Sequence, residues 1–339
     1  MENKPQNIIV TGAAGYIGGM VVDRFLDLYP DTFITGIDLL PMPKRWHPKS
    51  RVYWIQADLA AEGWQKKALD RGPVDLIIHC AFRIRTPFGK VKAYERNNRS
   101  ASKNVFEFAL KNNAPSLVYL STVSSYGARK ENIGRLLRES DPFLEMKNPY
   151  GYQKKLIEED LMALLHEGNP KTTVTVLRLN SVTGPRSQSL SSKFGLITFL
   201  KKLLPFVIEL NSRWARQFVH EDDVVDAILA SAARRGGALA IYNIAPEQFL
   251  EVADIARILN KKIVRVPAWL MKTALFILYP VSFGKLVPAS AADGLIYPIN
   301  VDGSAIGKDL SFKYRYTAEE ALLGRTGRSA HPAHPAHSA

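Results

Sequence analysis

Residues 7–18 read NIIVTGAAGYIG and place a short apolar run directly before a turn with three regularly spaced glycines. The run at 7–10 is typical of a buried parallel strand. After the turn, apolar residues recur at helical spacing as far as Leu28, which predicts an amphipathic helix. A strand, a glycine-rich turn and a helix in this order are typical of a dinucleotide site, because glycines let the backbone approach a pyrophosphate at the helix N-terminus.

The glycine turn supplies the first candidate cofactor-binding residues. They are Gly12, Gly15, Tyr16, Ile17 and Gly18. The spacing is G-x-x-G-x-x-G rather than G-x-G-x-x-G, so a tight turn packed for its own sake is the alternative interpretation.

Two acidic residues follow predicted strands. The second strand ends in Asp38, twenty residues after the glycine turn. An acid at this place hydrogen-bonds ribose hydroxyls and repels a 2′-phosphate, which favours NAD over NADP. Lys44 and Arg45 lie close enough in sequence to soften that preference. The third strand, at 52–56, leads to Asp58, which either accepts a hydrogen bond from an adenine amine or caps a helix.

A tyrosine and a lysine stand four residues apart in the segment NPYGYQK, residues 148–154. Asn148 suits a helix N-cap, and Pro149 suits the first helical position. Because residues at i and i+4 share one helix face, Tyr150 and Lys154 point into one cleft. A cation beside a phenol stabilises the phenolate, so the pair predicts a tyrosine with a lowered pKa that exchanges protons near neutral pH. A solvated helix face is the alternative.

With these motifs in this order, the chain resembles the extended short-chain dehydrogenases/reductases, the group that contains the NAD-dependent nucleotide-sugar epimerases and dehydratases. The resemblance extends from about residue 7 to about residue 323. It rests on the glycine turn, Asp38, Asp58–Leu59, His79–Ala81, Asn98, the hydroxyl-rich segment 117–127, Tyr150 with Lys154, Leu177–Arg178, Gly184–Pro185 and Phe218–Val224. It implies an α/β fold, a Rossmann-type doubly wound parallel sheet with a smaller C-terminal substrate lobe.

The resemblance also implies roles for individual residues. Tyr150 would be the general acid/base, and Lys154 would lower its pKa and hold the nicotinamide ribose. Thr122 matches the catalytic hydroxyl, and Ser124 is the neighbouring candidate, also placed at the substrate. The polar end of a buried strand is the alternative for this hydroxyl cluster. Further cofactor contacts would come from Asp58, Leu59, Cys80, Ala81 and Asn98, besides Tyr150 and Lys154.

Substrate identity depends on fewer residues. Arg216 matches an arginine that binds the diphosphate in nucleotide-sugar members of the family. A guanidinium can form two parallel hydrogen bonds to phosphate oxygens. Pairing with Glu221 or Asp222 is the alternative. The asparagine that the family carries after its sixth strand falls on Ser181, with Asn180 one place early, so both are candidate substrate residues.

Two other features point to different substrates. Arg83 and Arg85 follow the fourth predicted strand and favour an anionic substrate. The strongly apolar segment 267–280, interrupted by Lys272 and Pro280, is too short to span a bilayer. We expect a core helix of the small lobe there; the wall of an apolar cleft and a contact with a membrane surface are alternatives. An apolar cleft would indicate a dehydrogenase or reductase of a hydrophobic alcohol or ketone, such as a 3β-hydroxysteroid or a flavonoid.

The resemblance divides the chain into regions. Residues 1–178 would form the NAD-binding Rossmann domain, completed by 216–243. Residues 179–215 and 244–323 would form the substrate lobe. The low-complexity, histidine-rich end at 324–339 is expected to be disordered.

Composition bounds the remaining possibilities. The chain has 339 residues, 46% of them hydrophobic, and a net charge of +13. Its basic residues are scattered rather than clustered in a nucleic-acid module, so no nucleic-acid partner is expected. The single cysteine, Cys80, indicates a reducing compartment and a cytoplasmic location. No signal peptide, transmembrane segment or metal-ligand spacing is predicted, and the resemblance implies a homodimer.

Three functional hypotheses follow. The first is a nucleotide-sugar epimerase or dehydratase, and the second is a dehydrogenase of a hydrophobic alcohol. The third is an NAD-sensing or scaffolding protein without turnover. The intact set of Thr122, Tyr150 and Lys154 argues against the third, because a binding protein needs no acid/base group.

Overall fold

The computed structural model describes residues 5–46, 51–84, 89–168, 171–190, 201, 204–234, 236–237, 239–282 and 292–327. Its strands are β1 (Asn7–Thr11), β2 (Phe33–Asp38), β3 (Val52–Gln56), β4 (Leu76–His79), β5 (Ser116–Thr122), β6 (Thr173–Leu179), β7 (Ser181–Thr183), β8 (Phe206–Glu209), β9 (Ala215–Arg216), β10 (Phe218–His220), β11 (Leu239–Ile244), β12 (Leu250–Glu251) and β13 (Lys262–Arg265). Arg85, which the sequence placed near the substrate, and residues 328–339 of the expected tail lie outside the described residues.

Helices connect most of these strands. They are α1 (Tyr16–Leu28), α2 (Trp64–Ala68), α3 (Val91–Lys111), α4 (Pro149–Glu167), α5 (Pro185–Leu190), α6 (Glu221–Ala233), α7 (Val252–Ile258), α8 (Ala268–Val281), α9 (Asp293–Ile296), α10 (Ala305–Leu310) and α11 (Ala318–Leu323). Short 3₁₀ turns occupy Lys44–Trp46, Val123–Tyr126 and Lys130–Asn132.

The central sheet contains seven parallel strands in the order β11-β6-β5-β4-β1-β2-β3. The chain therefore runs outward from β1 in one direction and then resumes at β4 in the other. Such a switch point opens a crevice at the carboxyl ends of the strands, where open α/β sheets bind their ligands. The predicted doubly wound parallel sheet is confirmed.

Alternation along β1 shows how the sheet is covered on both faces. Ile8 and Val10 join a buried cluster with α1, α6 and α10, whereas Ile9 joins a second cluster with α2, α3 and α4. Successive side chains of a strand point to opposite faces, and a sheet buried on both faces needs apolar residues at every position. All five residues of β1 are buried.

Three two-stranded sheets lie outside the central one: β7 with β10, β9 with β12, and β8 with β13. A third buried cluster joins Trp214 and Phe218 to residues of α7 and α11. Ile306 of α10 instead packs in the first cluster, on the central sheet. Both clusters thus include residues of the segment 244–323, and the expected division into two lobes stays a prediction.

Candidate active site

The glycine turn is held tightly against the end of β4. Gly12 has φ +65°, and a methyl group added there would lie 2.8 Å from the Ala81 backbone. A methyl group on Gly18 would collide with the Gly12 carbonyl oxygen. The turn therefore requires glycine for its conformation and for close packing. It opens α1, whose first N–H groups lack intrahelical partners and suit an anion.

Asp38 lies at the rim of this turn. Its Oδ2 accepts a hydrogen bond from the Ala14 N–H at 3.0 Å, and its Oδ1 accepts one from the Leu40 N–H at 3.0 Å. The nearby Arg45 is engaged elsewhere, since its Nε lies 3.2 Å from Asp23 and its guanidinium stacks over Trp46. The carboxylate beside the glycine turn is thus fixed by its own backbone contacts, without Arg45.

Asp58 does not cap a helix. Its Oδ1 accepts from the Ala60 N–H at 3.0 Å, and α2 begins later, at Trp64. Asn97 donates to Asp58 Oδ2 at 3.2 Å, and Arg83 lies 3.9 Å from the same oxygen. The adjacent Leu59 is buried in the second cluster, so only the carboxylate of this pair reaches the surface.

A buried histidine supports the segment after β4. His79 Nδ1 lies 2.7 Å from the Thr11 hydroxyl, and Nε2 lies 2.9 Å from the Ser102 hydroxyl. The Thr11 hydroxyl also accepts from the Ala81 N–H at 3.3 Å. Burial, assisted by the charge of Lys154, lowers the pKa of His79 to about 3. The neutral imidazole thus links β1, β4 and α3 directly behind the residues expected to line the cofactor.

Asn98 bonds this segment to the helix that carries the Tyr–Lys pair. Its Oδ1 accepts from the Arg83 N–H at 3.0 Å, and its Nδ2 donates to the Arg83 carbonyl at 3.2 Å and to Gln153 Oε1 at 2.9 Å. Both amide hydrogens are therefore used within the protein. Cys80, in the same segment, has a pKa that burial raises to about 12, so its thiol is not a nucleophile at neutral pH.

Tyr150 and Thr122 meet where α4 packs on the 3₁₀ turn after β5. As the sequence predicted, Asn148 caps α4, and its Oδ1 accepts from the Tyr150 N–H at 3.1 Å. Burial raises the pKa of the Tyr150 phenol, and a hydrogen bond with the Thr122 side chain offsets part of that rise. The net direction is opposite to the lowered pKa expected from the Lys154 spacing, because desolvation of the phenolate outweighs the local hydrogen bond.

Lys154 lies one helical turn beyond Tyr150 and is buried. Its Nζ donates to the Leu120 carbonyl at 2.5 Å and to the Tyr119 hydroxyl at 3.4 Å, and it lies 4.5 Å from the centre of the Phe82 ring. Burial lowers the pKa of the ammonium to about 7. The same Phe82 ring packs edge-on against Tyr150, so one aromatic residue contacts both members of the pair.

The hydroxyl cluster divides into two kinds of residue. Ser121 donates to Glu158 at 2.7 Å and Ser125 donates to the Gly151 carbonyl at 3.0 Å, which uses both in packing α4. Thr122 caps the 3₁₀ turn by accepting from the Ser124 N–H at 3.2 Å. Thr122 faces Tyr150, and Ser124 is partly exposed beside it.

The predicted substrate residues differ in what they contact. Asn180 is used structurally: its Nδ2 donates to Gln217 at 3.0 Å and its Oδ1 accepts from the Ser181 N–H at 2.8 Å. Arg216 lies over the Trp214 ring at 5.7 Å, and desolvation lowers the pKa of its guanidinium to about 10. No ion pair to Arg216 is found within the part of the chain that the structure describes.

Glu221, offered by the sequence as a partner for Arg216, is committed to other groups. Its buried carboxylate accepts hydrogen bonds from the Tyr16 hydroxyl, from the Arg186 N–H at 3.0 Å and from the Ser187 N–H at 3.1 Å. It therefore joins the first residue of α1 to the start of α5. The pKa of Tyr16 is raised because the phenol is buried beside this carboxylate.

Comparison with known proteins identifies the family. The model of the NAD dependent epimerase/dehydratase family matches residues 8–245. The chain belongs to this family. Among curated proteins, the family's trifunctional UDP-glucose 4,6-dehydratase/UDP-4-keto-6-deoxy-D-glucose 3,5-epimerase/UDP-4-keto-L-rhamnose-reductase RHM3 of Arabidopsis thaliana is 26% identical over 271 residues, 76% of this chain. The chain spans only 40% of the length of that relative.

A second relative is shorter. The dTDP-D-glucose 4,6-dehydratase of Mus musculus is 25% identical over 262 residues, 74% of this chain and 71% of that protein. Two solved structures share the fold at 20% identity. The Bordetella bronchiseptica enzyme WbmG in complex with NAD aligns with a TM-score of 0.72 over 95% of this chain and 93% of its own. The UDP-glucuronic acid 4-epimerase from Bacillus cereus, with UDP-glucuronic acid and NAD, aligns at 0.70 over 94% and 97%.

One residue that supports the site, Glu145, was not predicted from the sequence. Glu145, buried in the loop before α4, accepts from the N–H groups of Met146, Lys147 and Asn148 at 2.9, 2.7 and 2.9 Å. Such a carboxylate fixes the start of the helix that carries Tyr150. The only local signal is an acid three residues before an Asn-Pro helix start, which by itself is common.

Proposed function

We propose that this chain is an NAD-dependent nucleotide-sugar epimerase or dehydratase in which Tyr150 exchanges a proton with a sugar hydroxyl. The observation that carries the proposal is the convergence of Thr122, Tyr150 and Lys154 at the carboxyl end of β5, on the same edge of the parallel sheet as the glycine turn that follows β1. A catalytic acid/base, a hydroxyl that bonds to it and a dinucleotide turn together support redox chemistry at a carbinol.

The residues around the glycine turn fit NAD. Gly12 and Gly18 let the turn pack closely on its own backbone and on Ala81, and the N-terminus of α1, which this turn opens, suits a pyrophosphate. The Asp38 carboxylate at the rim suits a ribose diol and disfavours a 2′-phosphate. Asp58, Cys80 and Ala81 would line the adenine and nicotinamide sides. Bound NAD would supply a hydride acceptor for the sugar alcohol.

The protein's own contribution is proton transfer and orientation. Tyr150 would take the proton of the sugar hydroxyl and return it in the reverse step. Thr122 bonds to the phenol, so it stabilises the negative charge that forms there. Lys154, with a pKa near 7, carries its charge in part of the molecules at neutral pH and would favour the phenolate in that state. Asn98 would be a positioning residue, because it holds the Arg83 backbone after β4 and the Gln153 side chain on α4.

Arg216 supports an anionic substrate. A partly buried guanidinium that lacks a carboxylate partner among the described residues is available to a diphosphate, whose oxygens match its donors. Ser124 and Ser181 are partly exposed and would contact the sugar. Asn180 would instead hold the junction between β6 and β7. The hydrophobic-alcohol alternative lacks comparable support, because the names of the Arabidopsis, mouse and Bacillus cereus proteins above state nucleotide sugars or nucleotide-sugar reactions.

We also propose that the protein is a cytoplasmic homodimer. The family resemblance implies an interface of two helices of the cofactor domain, one of which is α4, the helix that carries Tyr150 and Lys154. The single cysteine is consistent with a reducing compartment. Sedimentation analysis of the purified chain tests the dimer directly.

The first experiment identifies any nicotinamide cofactor that purifies with the protein. A panel of UDP-, GDP- and dTDP-sugars is then added, and the absorbance of enzyme-bound reduced nicotinamide is followed. We expect retained NAD that is transiently reduced by one nucleotide sugar. Loss of cofactor during purification together with no response to any sugar would contradict the proposal and favour a dehydrogenase of a hydrophobic alcohol.

A second experiment tests the diphosphate contact. Arg216→Gln should raise the Kd of the responding nucleotide sugar by about tenfold or more, because a charge-assisted bidentate contact is lost. The Kd of NAD should stay nearly unchanged. The matched control is Arg213→Gln, an exposed arginine three residues earlier. Equal effects of the two substitutions would show that Arg216 does not contact the substrate.

A further inference from the structure

Helix α8 presents an apolar face to solvent. Its exposed side chains include Trp269, Phe276, Ile277 and Val281, with 68, 74, 57 and 70% of their surface accessible. Their spacing of seven, eight and twelve residues from Trp269 places them on one side of a helix. Singly exposed apolar residues are ordinary, but a contiguous face of large ones marks an interaction site.

The opposite side of α8 attaches it to the protein. Leu275 is buried on that side. Lys272 lies at the border of the outer face, one turn from both Trp269 and Phe276, and its Nζ lies 2.6 Å from Asp293. On the outer face, the one hydroxyl, that of Thr273, donates to the Trp269 carbonyl at 3.0 Å. The outer face thus carries a satisfied hydroxyl, and the lysine at its border is paired and long enough to keep its ammonium at the headgroup level.

The sequence around α8 is strongly basic. Between Asp254 and Asp293 the chain contains no acidic residue. The basic residues in that interval are Arg257, Lys261, Lys262, Arg265, Lys272 and Lys285. Four consecutive exposed residues form β13, and they lead through Val266 and Pro267 directly into α8. Arg265 pairs with Glu209 at 3.2 Å, yet its side chain remains 84% exposed, and Lys262 is exposed beside it.

We propose that β13 and the outer face of α8 form a docking surface for an anionic lipid bilayer. The fourteen residues of α8 are too few to span the hydrocarbon core, and no helix in the described ranges has the length and hydropathy to do so. A short apolar helix with an exposed face of this kind can lie in the interface, with that face below the headgroups and Trp269 at their level. The basic strand adds attraction to acidic headgroups.

Charge separates this partner from a second copy of the chain. Two copies that meet through α8 would bring together two identical basic surfaces on molecules that each carry a net charge of +13. Like charges across an interface repel, whereas an acidic bilayer attracts the same surface. The docking surface shares no residue with the catalytic site, so vesicle binding and turnover fail independently of each other.

Vesicle cosedimentation of the full chain tests this surface. Vesicles of phosphatidylcholine alone are compared with vesicles of phosphatidylcholine and phosphatidylglycerol, at low and high salt. We expect binding to the mixed vesicles that weakens with salt. Phe276→Ser should lower the partition coefficient about tenfold through lost apolar burial. Lys262→Gln should lower it about fivefold through one lost charge.

Matched controls lie on helices that pack on the central sheet. Leu28→Ser removes an exposed apolar residue from α1, and Lys66→Gln removes an exposed lysine from α2. Both should bind vesicles like the unchanged protein, and all four variants should keep their circular dichroism spectrum. No binding to mixed vesicles, or equal loss in the controls, would overturn the proposal. A Phe276→Ser variant that loses a dimer, with no vesicle binding in the parent, would assign the face to a second copy.

Discussion

The Tyr16 hydroxyl donates a hydrogen bond to the buried Glu221 carboxylate, across 205 positions of sequence. The same carboxylate holds the start of α5 through the Arg186 and Ser187 N–H groups. One side chain thus connects the helix that opens at the glycine turn with the segment that enters the expected substrate lobe. Glu221 therefore links the glycine-turn end of α1 to the start of α5 through hydrogen bonds.

Breaking this bond should weaken both stability and NAD binding. Tyr16→Phe removes a side-chain hydrogen bond from the buried Glu221 carboxylate and should lower the free energy of unfolding by about 1–3 kcal/mol. NAD affinity should fall because Tyr16 begins α1. A double-mutant cycle with Glu221→Gln, read by denaturant unfolding, should give a clear coupling energy. Additive effects would contradict the link. Tyr53→Phe, on the edge strand β3, is the control.

The glycine turn should not tolerate a side chain at Gly12. Gly12→Ala combines an unfavourable positive φ with a contact 2.8 Å from the Ala81 backbone. We expect a loss of about 2 kcal/mol or more in stability, together with loss of NAD binding. Gly72→Ala separates the two causes, because Gly72 has φ +92° and open space around it. It should cost stability and leave the Kd of NAD unchanged. If Gly12→Ala bound NAD normally, the close packing of this turn would be unimportant for the site.

Lys154 should give the cofactor-free protein a distinctive pH dependence. Burial lowers its pKa from 10.5 to about 7, so between these values the unfolded chain binds more protons than the folded one. The free energy of unfolding therefore rises with pH in this window, by up to about 1.4 kcal/mol per pH unit. Lys154→Met removes this contribution. The free energy of unfolding of the Met variant, relative to that of the parent, should be highest at about pH 7 and should fall towards pH 10. A relative free energy that does not change with pH would contradict the shift.

Asp38 should control the choice of dinucleotide. Asp38→Ala removes the carboxylate from the rim of the glycine turn and should weaken NAD about tenfold while relaxing discrimination against NADP. Calorimetric titration of both dinucleotides measures the preference. Asp27→Ala, an exposed acid on α1, should change neither affinity. An unchanged NAD/NADP ratio in the Asp38 variant would exclude a ribose contact.

The parts of this site that follow local rules were predictable from the sequence. Glycine spacing and apolar runs gave β1, α1 and the parallel sheet, and the Asn-Pro start gave the cap of α4. The environment of Lys154 was not predictable, because the Leu120 carbonyl and the Tyr119 ring belong to β5, which lies 34 and 35 residues earlier in the sequence. The predicted direction of the Tyr150 pKa shift was wrong for a related reason: the i, i+4 spacing of Tyr150 and Lys154 contains no information on how deeply the phenol is buried. Glu221 joined Tyr16 through tertiary packing, which no spacing encodes.

The most direct test of the catalytic assignment removes one oxygen atom. Tyr150→Phe should lower turnover of the responding nucleotide sugar by about 10²- to 10⁴-fold, as expected for a lost general acid/base. The Kd of NAD should stay within about twofold, because Phe fills the same space. Tyr152→Phe, two residues further along α4, should behave like the parent. Turnover by Tyr150→Phe at the rate of the parent would contradict the account.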